Sequence, residues 1–350
     1  MVMLIIEPVR LIMIGSVGFL SALIGTGLLV RYLAHRHVFD LPNDRSSHSK
    51  PTPRGGGIAV IVAITIVWGV GFITSDETLG HDLPILLAAL LLATLGFIDD
   101  LRDLPALPRL LAQVCAVGIG IWAISAEGGL FSSMLPVPID LAMTGFIWLW
   151  FVNIFNFMDG IDGLTGVEMV SIGIGLSGLS AIGIASAEVL PHAVAITAVA
   201  LGFLVWNWDP AKIFMGDVGS VPIGFLIAWM LITAANGSGA NIETTIIVLL
   251  LPAYYLADAS ITLGCRLVRR ENVFKGHRQH FYQKAVIRGL SHKTVCLVVL
   301  LTNMFLVAMT WFMTPSHTFV ALTVSVLIIA TLLAWMAGKH PGATSNLKAE

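Results

Sequence analysis

Residues 156–164 read Asn156-Phe157-Met158-Asp159-Gly160-Ile161-Asp162-Gly163-Leu164. The stretch interrupts two apolar runs, 139–155 before it and 164–185 after it. Its two carboxylates, Asp159 and Asp162, stand three residues apart, which on a helix would turn both to the same side. Each is followed by a glycine, which leaves room for an anion or a metal to approach the backbone. The plain alternative is an acidic turn between two membrane helices. Carboxylates at membrane depth are expensive and usually functional, and similar acidic knots recur along the chain.

The runs on either side fix the class. The chain has 350 residues, 57% hydrophobic and 11% charged, with a mean hydropathy of +0.89. Soluble domains carry roughly 25% charged residues. A membrane-crossing helix needs ~20 mostly apolar residues, and the sequence divides into about eleven such runs. The expected fold is therefore an all-α polytopic membrane protein of about eleven transmembrane helices. Residues 11–30 are long for a signal-peptide core and lack a cleavage site, so they read as a retained first helix. A net charge of −2 leaves no basic footprint for nucleic acid. Cys115, Cys265 and Cys296 are scattered and form no metal or disulfide spacing.

Outward from the central stretch, four more polar segments carry chemistry. Residues 41–57 combine Arg45, His48, Lys50 and Arg54 with three glycines, cations and amides that suit a phosphate. A second segment is Asp99-Asp100-Leu101-Arg102-Asp103, at the end of an apolar run. In a third, Trp206-Asn207-Trp208-Asp209-Pro210 leads to Phe214-Met215-Gly216-Asp217-Val218-Gly219-Ser220. That places Asp217 and Ser220 at a helix N-terminus, where backbone amides favour a bound phosphate. The stretch 264–293 is the most basic part of the chain and holds Arg278 and His280. Asp258, within the apolar run before it, is expected to pair with Arg266. Trp206 and Trp208 are expected to be interfacial anchors.

Charge gives the orientation. Alternating from an inner loop after the first helix puts 18 of the 19 Lys and Arg residues on one side, all but Arg10. The rule that inner loops are positive then predicts a periplasmic N-terminus and a cytoplasmic C-terminus. The same alternation puts segments 35–57, 99–109, 156–163, 207–220 and 264–293 together on the cytoplasmic face of a single catalytic domain, 1–350. Clustered carboxylates repel unless a cation joins them. Oxygen donors without a cysteine set favour Mg²⁺, or Mn²⁺. Carboxylates, metal, cations and glycine-rich backbone describe a pyrophosphate site, and phosphoryl transfer from a nucleotide to a membrane-borne phosphate fits.

Taken together, these motifs resemble the polyprenyl-phosphate N-acetylhexosamine-1-phosphate transferases, the WecA and MraY superfamily (glycosyltransferase family 4). The resemblance runs over about residues 40–283 and rests on Asp99-Asp100, on Asn156 with Asp159 and Asp162, on Asn207, and on Phe214-Met215-Gly216-Asp217 with Ser220. Pro252, Asp258 and Arg269-Arg270 also fit. The resemblance implies transfer of a sugar-1-phosphate from a UDP-N-acetylhexosamine to undecaprenyl phosphate, in the bacterial inner membrane, with release of UMP. It implies catalytic roles for Asp99, Asp100, Asp159, Asp162 and His280. Substrate binding would fall to Lys50, with His48 and Arg54 as rivals for its phosphate role, and to Asn156, Asn207, Phe214, Ser220 and Arg278, with Phe214 near the uracil. Mg²⁺ would sit on Asp217 and Asp159. One departure stands out: Tyr282 and Gln283 occupy positions where the family carries two histidines. With residues 47–56, that ending looks more like the O-antigen-initiating, WbpL-like branch, which uses N-acetylated and often 6-deoxy hexosamines. The oligomeric state is open, a homodimer included.

Two other classes share pieces of this pattern. Asp99-Asp100-x-x-Asp103 also spells the diphosphate motif of intramembrane prenyltransferases, which would need a second such motif and no 207–220 segment. A transporter would be marked by inverted repeats, and the spacing of the charged loops contains none.

Overall fold

The computed structural model describes residues 3–36, 39–40, 51–74, 82–236, 241–272, 277–312 and 317–338. Lys50, Arg45 and His48 lie outside them. Among the described residues the chain is all helical apart from two isolated bridges, Asp40 with Thr52 and Arg54 with Phe214. The helices are α1 (Met3–His35), α2 (Gly57–Thr74), α3 (Asp82–Arg102), α4 (Ala106–Ile124), α5 (Val137–Phe157), α6 (Leu164–Ala181) and α7 (Val189–Asn207). They continue as α8 (Asp217–Ala235), α9 (Ile242–Leu249), α10 (Ala253–Val268), α11 (Phe281–Ile287), α12 (His292–Phe312) and α13 (Thr318–Ala337).

Nine of these are long and apolar enough to cross a membrane, and the bent pair α9 and α10 makes ten. The remaining expected span is α2, whose apolar part, Gly57–Gly71, is shorter. The protein is thus an all-helical, polytopic membrane protein. Two expectations change in detail. Residues 245–263 do not form one straight helix: α9 and α10 meet at 81°. Pro252 sits at that break and lacks the N–H a continuous helix needs. The short α11 lies in a stretch read as loop.

Helix α8 is the axis of the bundle. It is apolar all round, and its candidate span is entirely buried, as expected of a helix with no polar face. Helices α3 and α5 pack along it, α1 and α6 pack on α7, and α12 closes against α6. Trp148 of α5 lies flat on Phe225 of α8 and donates its indole N–H to the Phe225 carbonyl at 3.0 Å.

The two ends of the bundle differ. At one end Asp140 of α5 accepts the N–H groups of Gly129 (2.6 Å) and Phe131 (2.9 Å), and Asn236 donates to the Gly128 carbonyl at 2.7 Å. These are loop-closing bonds that satisfy buried polar groups. The other end carries the chemically loaded segments.

Candidate active site

Residues 53–57 dock against 214–215. Gly55 and Gly56 donate their N–H groups to the Phe214 carbonyl (3.2 and 2.8 Å), Gly57 donates to Met215 (2.8 Å), and Phe214 donates back to Pro53 (2.8 Å). A side chain at Gly57 would collide with the backbone of Gly219. The three glycines therefore serve a close backbone approach, and their amides are not free for a phosphate as the sequence led us to expect. What the docking delivers is Arg54.

Arg54 reaches Asp100 at 2.8 Å and Asp217 at 3.1 Å. Burial opposes its charge, but Asp100 and Asp217 outweigh burial and hold the guanidinium above its ordinary value. Arg109, from α4, lies 3.1 Å from Asp99 and 3.8 Å from Asp217. The Asp100 carboxylate also accepts the N–H groups of Asp217 and Val218, both at 3.0 Å. The first amides of α8 are thus capped by Asp100 rather than open to a phosphate, a second correction. Asp99 is fixed by the Leu104 N–H at 2.7 Å. Asp103 is exposed beyond the end of α3 with φ 46°, off the face that carries Asp99.

Three carboxylates thus face two guanidiniums, and their side chains are only 6%, 7% and 17% exposed for Asp99, Asp100 and Asp217. The surplus is negative and the donors are all oxygen, which fits Mg²⁺. Ser220 of α8 donates to Asn156 of α5 at 2.5 Å beside the cluster. A groove of about 290 Å³ leads away from it. Asp99, Arg109, Asn156 and Asp217 line one part, and Leu92, Leu107, Leu110 and Val221 are among its apolar walls.

The central stretch behaves differently from a helical turn. Helix α5 ends at Phe157, and Gly163, with φ 81°, starts α6 from the left-handed region. Between them the two carboxylates diverge. Asp159 accepts the Thr165 hydroxyl at 2.5 Å. Burial pushes its carboxyl up to about 6, while Thr165 and Arg54 pull the other way. Asp162 turns to Ala211, whose N–H it accepts at 2.9 Å, and to His292. So Asp159 stays electrostatically tied to Arg54 and Asp100, and Asp162 leaves that cluster. Among the described residues, Asp162, Asp209 and His292 form a grouping of three acidic and histidine side chains tight enough for a metal.

The remaining expected residues hold the framework. Asn207 is buried, accepts the Gly163 N–H at 3.0 Å and donates to the Ile213 carbonyl at 2.8 Å, so its amide joins two site loops. Phe214 is half-buried beside Arg54. His280 is buried with Nδ1 3.1 Å from Asp258, which also accepts the N–H groups of Phe281 and Tyr282 at 3.0 and 3.1 Å. Asp258 therefore anchors the start of α11, and Arg266 pairs instead with Glu271 at 3.3 Å. Arg278 is half-buried near Tyr282. Tyr282 donates to the Phe157 carbonyl at 3.0 Å and covers Gly160, where a side chain would strike its hydroxyl. Gln283 accepts the His280 N–H at 3.2 Å and caps α11. Of the two departures from the family pattern, Tyr282 thus locks the central stretch and Gln283 holds the start of α11. Trp206 is half-buried, donates to the Leu23 carbonyl at 2.9 Å and packs against the core.

Sequence reading ranked Arg54 only as a rival of Lys50 and overlooked Arg109, Asp209 and His292. For Arg109 the available signal was a lone cation six residues after the acidic run, at the start of an apolar helix.

Comparison with known proteins gives the family. The model of glycosyl transferase family 4 matches residues 83–235. The chain is 30% identical over 331 residues to the decaprenyl-phosphate N-acetylglucosaminephosphotransferase of Mycobacterium leprae, covering 84% of this chain and 81% of that one. It is 29% identical to a probable undecaprenyl-phosphate N-acetylglucosaminyl 1-phosphate transferase of Bacillus subtilis (84% and 82% covered). Identity is also 29% to the undecaprenyl-phosphate alpha-N-acetylglucosaminyl 1-phosphate transferase of Escherichia coli K12 (75% and 73% covered). The family match spans the segments that carry Asp99, Asp100, Asp159 and Asp217, the relatives are covered over most of their length, and on that ground the chain belongs to glycosyl transferase family 4, as a polyprenyl-phosphate sugar-1-phosphate transferase.

Proposed function

We propose that the enzyme transfers N-acetylhexosamine-1-phosphate from a UDP-sugar to undecaprenyl phosphate at the cytoplasmic face of the inner membrane. The products are undecaprenyl-pyrophosphoryl-sugar and UMP, the first step of an envelope polysaccharide such as O-antigen. The observation that carries this is the cluster of Arg54, Asp99, Asp100, Arg109 and Asp217 beside an apolar groove. A charged site opening on an apolar channel suits a substrate that is a phosphate at one end and a hydrocarbon at the other.

In this reading the lipid lies along Leu92, Leu107 and Leu110 and its phosphate meets Arg109. Arg54 takes the pyrophosphate of the nucleotide. Asp99 or Asp100 orients the lipid phosphate or takes its residual proton. An oxygen of the lipid phosphate attacks the phosphorus nearest the sugar, in line with the bridging oxygen that leaves on UMP. The sugar keeps its anomeric oxygen and its configuration. Asp217 and Asp159 would hold Mg²⁺, which offsets the charge of the phosphates when bound. His280 acts through position, since its ring lies buried on Asp258.

The relatives' names point to UDP-N-acetylglucosamine as the donor. Tyr282 and Gln283 favour the branch that takes N-acetylated 6-deoxy hexosamines, which makes those the second donors to try. Purified protein given undecaprenyl phosphate, Mg²⁺ and a panel of UDP-N-acetylhexosamines decides between them. Turnover of one N-acetylated donor is expected. Equal turnover of donors lacking the acetamido group would contradict the substrate class.

A further inference from the structure

We propose that Asp162, Asp209 and His292 form a binding site for a divalent transition metal of the Zn²⁺ or Mn²⁺ class, separate from the Mg²⁺ site. The three come from different places: the turn before α6, the loop after α7, and the first residue of α12. One ligand atom from each lies within 4.8 Å of the others. Each carboxylate is fixed by a backbone amide, Asp162 by Ala211 at 2.9 Å and Asp209 by Lys293 at 3.0 Å. The Cys296 thiol donates to the Asp162 carbonyl at 3.1 Å and steadies the same turn.

Proximity alone would leave an ordinary acidic knot. A second observation points to a ligand. The Asp162 side chain is 10% exposed, and its Oδ1 is buried without a hydrogen-bond donor. The atom facing it, at 3.2 Å, is His292 Nδ1. That nitrogen already accepts the Asp162 N–H at 3.3 Å. A ring nitrogen that accepts carries a lone pair and no proton. Two lone-pair atoms therefore face each other inside the protein, an arrangement a cation between them resolves. The 3.2 Å spacing of that pair agrees, because bonds of about 2.1 Å set neighbouring ligands about 3.0–3.4 Å apart. One imidazole with two carboxylates selects first-row transition metals over Mg²⁺, which prefers oxygen throughout. Bound there, the ion would clamp α12 to the 158–163 turn and hold the loop that leads to Asp217.

The test uses untagged, full-length protein in lipid nanodiscs, stripped with a chelator and loaded with Mn²⁺ in the presence of excess Mg²⁺. Pulsed electron paramagnetic resonance should show ¹⁴N modulation from a directly bound imidazole. His292→Gln should abolish it and remove one Mn²⁺ per chain. Asp209→Asn should weaken Mn²⁺ binding at least tenfold, and Asp217→Asn should leave the nitrogen signal intact. Because Mg²⁺ saturates the all-oxygen site, failure of the Mg²⁺ assignment leaves this readout untouched. Absence of ¹⁴N modulation in the wild type would mean that His292 and Asp162 are a plain ion pair. Modulation that survives His292→Gln would place the ion on another histidine. Should His292→Gln not fold, the wild-type spectrum and Asp209→Asn decide, and unchanged Mn²⁺ affinity in Asp209→Asn overturns the site.

Discussion

Arg54 Nη2 lies 3.1 Å from Asp217 Oδ1, although 163 residues separate them in the chain. The contact exists because residues 53–57 zip onto 214–215 by backbone hydrogen bonds, so the position of the cation is set by main chain rather than by side-chain choice. The same guanidinium touches Asp100. One arginine therefore ties together the ends of α2, α3 and α8, where the acidic groups converge.

Removing Arg54 leaves Asp100 and Asp217 short of a cation in a mostly dehydrated site. We expect Arg54→Ala to lower turnover at least ~10²-fold, the scale of losing one fixed charge-stabilising group. Arg54→Lys should restore only part of it, since a single ammonium cannot reproduce the planar fork. Steady-state kinetics in nanodiscs check both. Near-normal turnover in Arg54→Ala would move the phosphate role to Lys50.

Asp217→Asn keeps the shape of the side chain and its place at the start of α8 while removing the charge. Activity should fall at least ~10²-fold with normal insertion and yield. Residual activity should need more Mg²⁺, which a Mg²⁺ titration of initial rates will show. An unchanged Mg²⁺ dependence would assign the ion to other carboxylates.

Asp159 supplies a pH signature. Its folded value of about 6 is above the ~3.9 of an unfolded aspartate. The folded state therefore binds this proton more tightly. The stabilisation is complete below about pH 4 and lost as pH rises through 6. If Asp159 also ligates Mg²⁺, the ion must displace the proton. Calorimetry in buffers of different ionisation heats should then record proton release that is largest near pH 5 and fades above pH 7. Asp159→Asn should reduce it, leaving the share of Asp217. Release that is independent of pH would separate Asp159 from the metal.

Tyr282 and Gly160 form a lock that a double-mutant cycle can open. Tyr282→Phe loses one hydrogen bond and should cost about 1 kcal/mol of stability. Gly160→Ala drives a methyl group into the Tyr282 hydroxyl and should be far worse alone. Adding Tyr282→Phe should recover ~1–3 kcal/mol of that loss, the range for residues in direct contact. Additive effects in thermal unfolding would mean that Tyr282 does not cover the central stretch.

Reporter fusions test the sidedness. Ser125 and Ala235 close the helices at the end held together by Asp140 and Asn236, and Arg102 and Lys212 belong to the end with the acidic cluster. Fusions at the first pair should report periplasm and at the second pair cytoplasm. A cytoplasmic signal at Ala235 would break the one-face arrangement.

Much of this was legible in the sequence because a bilayer demands long apolar runs, and such runs need no tertiary information to be seen. The assembly of Asp99, Asp100 and Asp217 was legible for a related reason: charges at helix ends on one face have few places to go. What escaped were contacts decided by backbone geometry. Asp159 and Asp162 look like one helical face, but the chain leaves the helix at Phe157 and resumes it only after Gly163, so both lie in a turn with no helical face. The glycines at 55–57 look like a phosphate cradle, but Phe214 and Met215 occupy their amides. His292 meets Asp162 across 130 residues, and no local pattern marks that pairing. Helix α11 is seven residues long, too short for its periodicity to stand out, and depends on Asp258 and Gln283 to begin.

The central claim is phosphoryl transfer with the sugar's anomeric oxygen retained, and the nucleotide product reads it directly. Purified enzyme should be given UDP-sugar labelled in the uridine, with undecaprenyl phosphate and Mg²⁺. The account predicts UMP and a lipid pyrophosphoryl sugar in equal amounts, and back-exchange of labelled UMP into UDP-sugar only when lipid phosphate is present. Release of UDP with a lipid monophosphate sugar would place the attack at carbon and contradict the account.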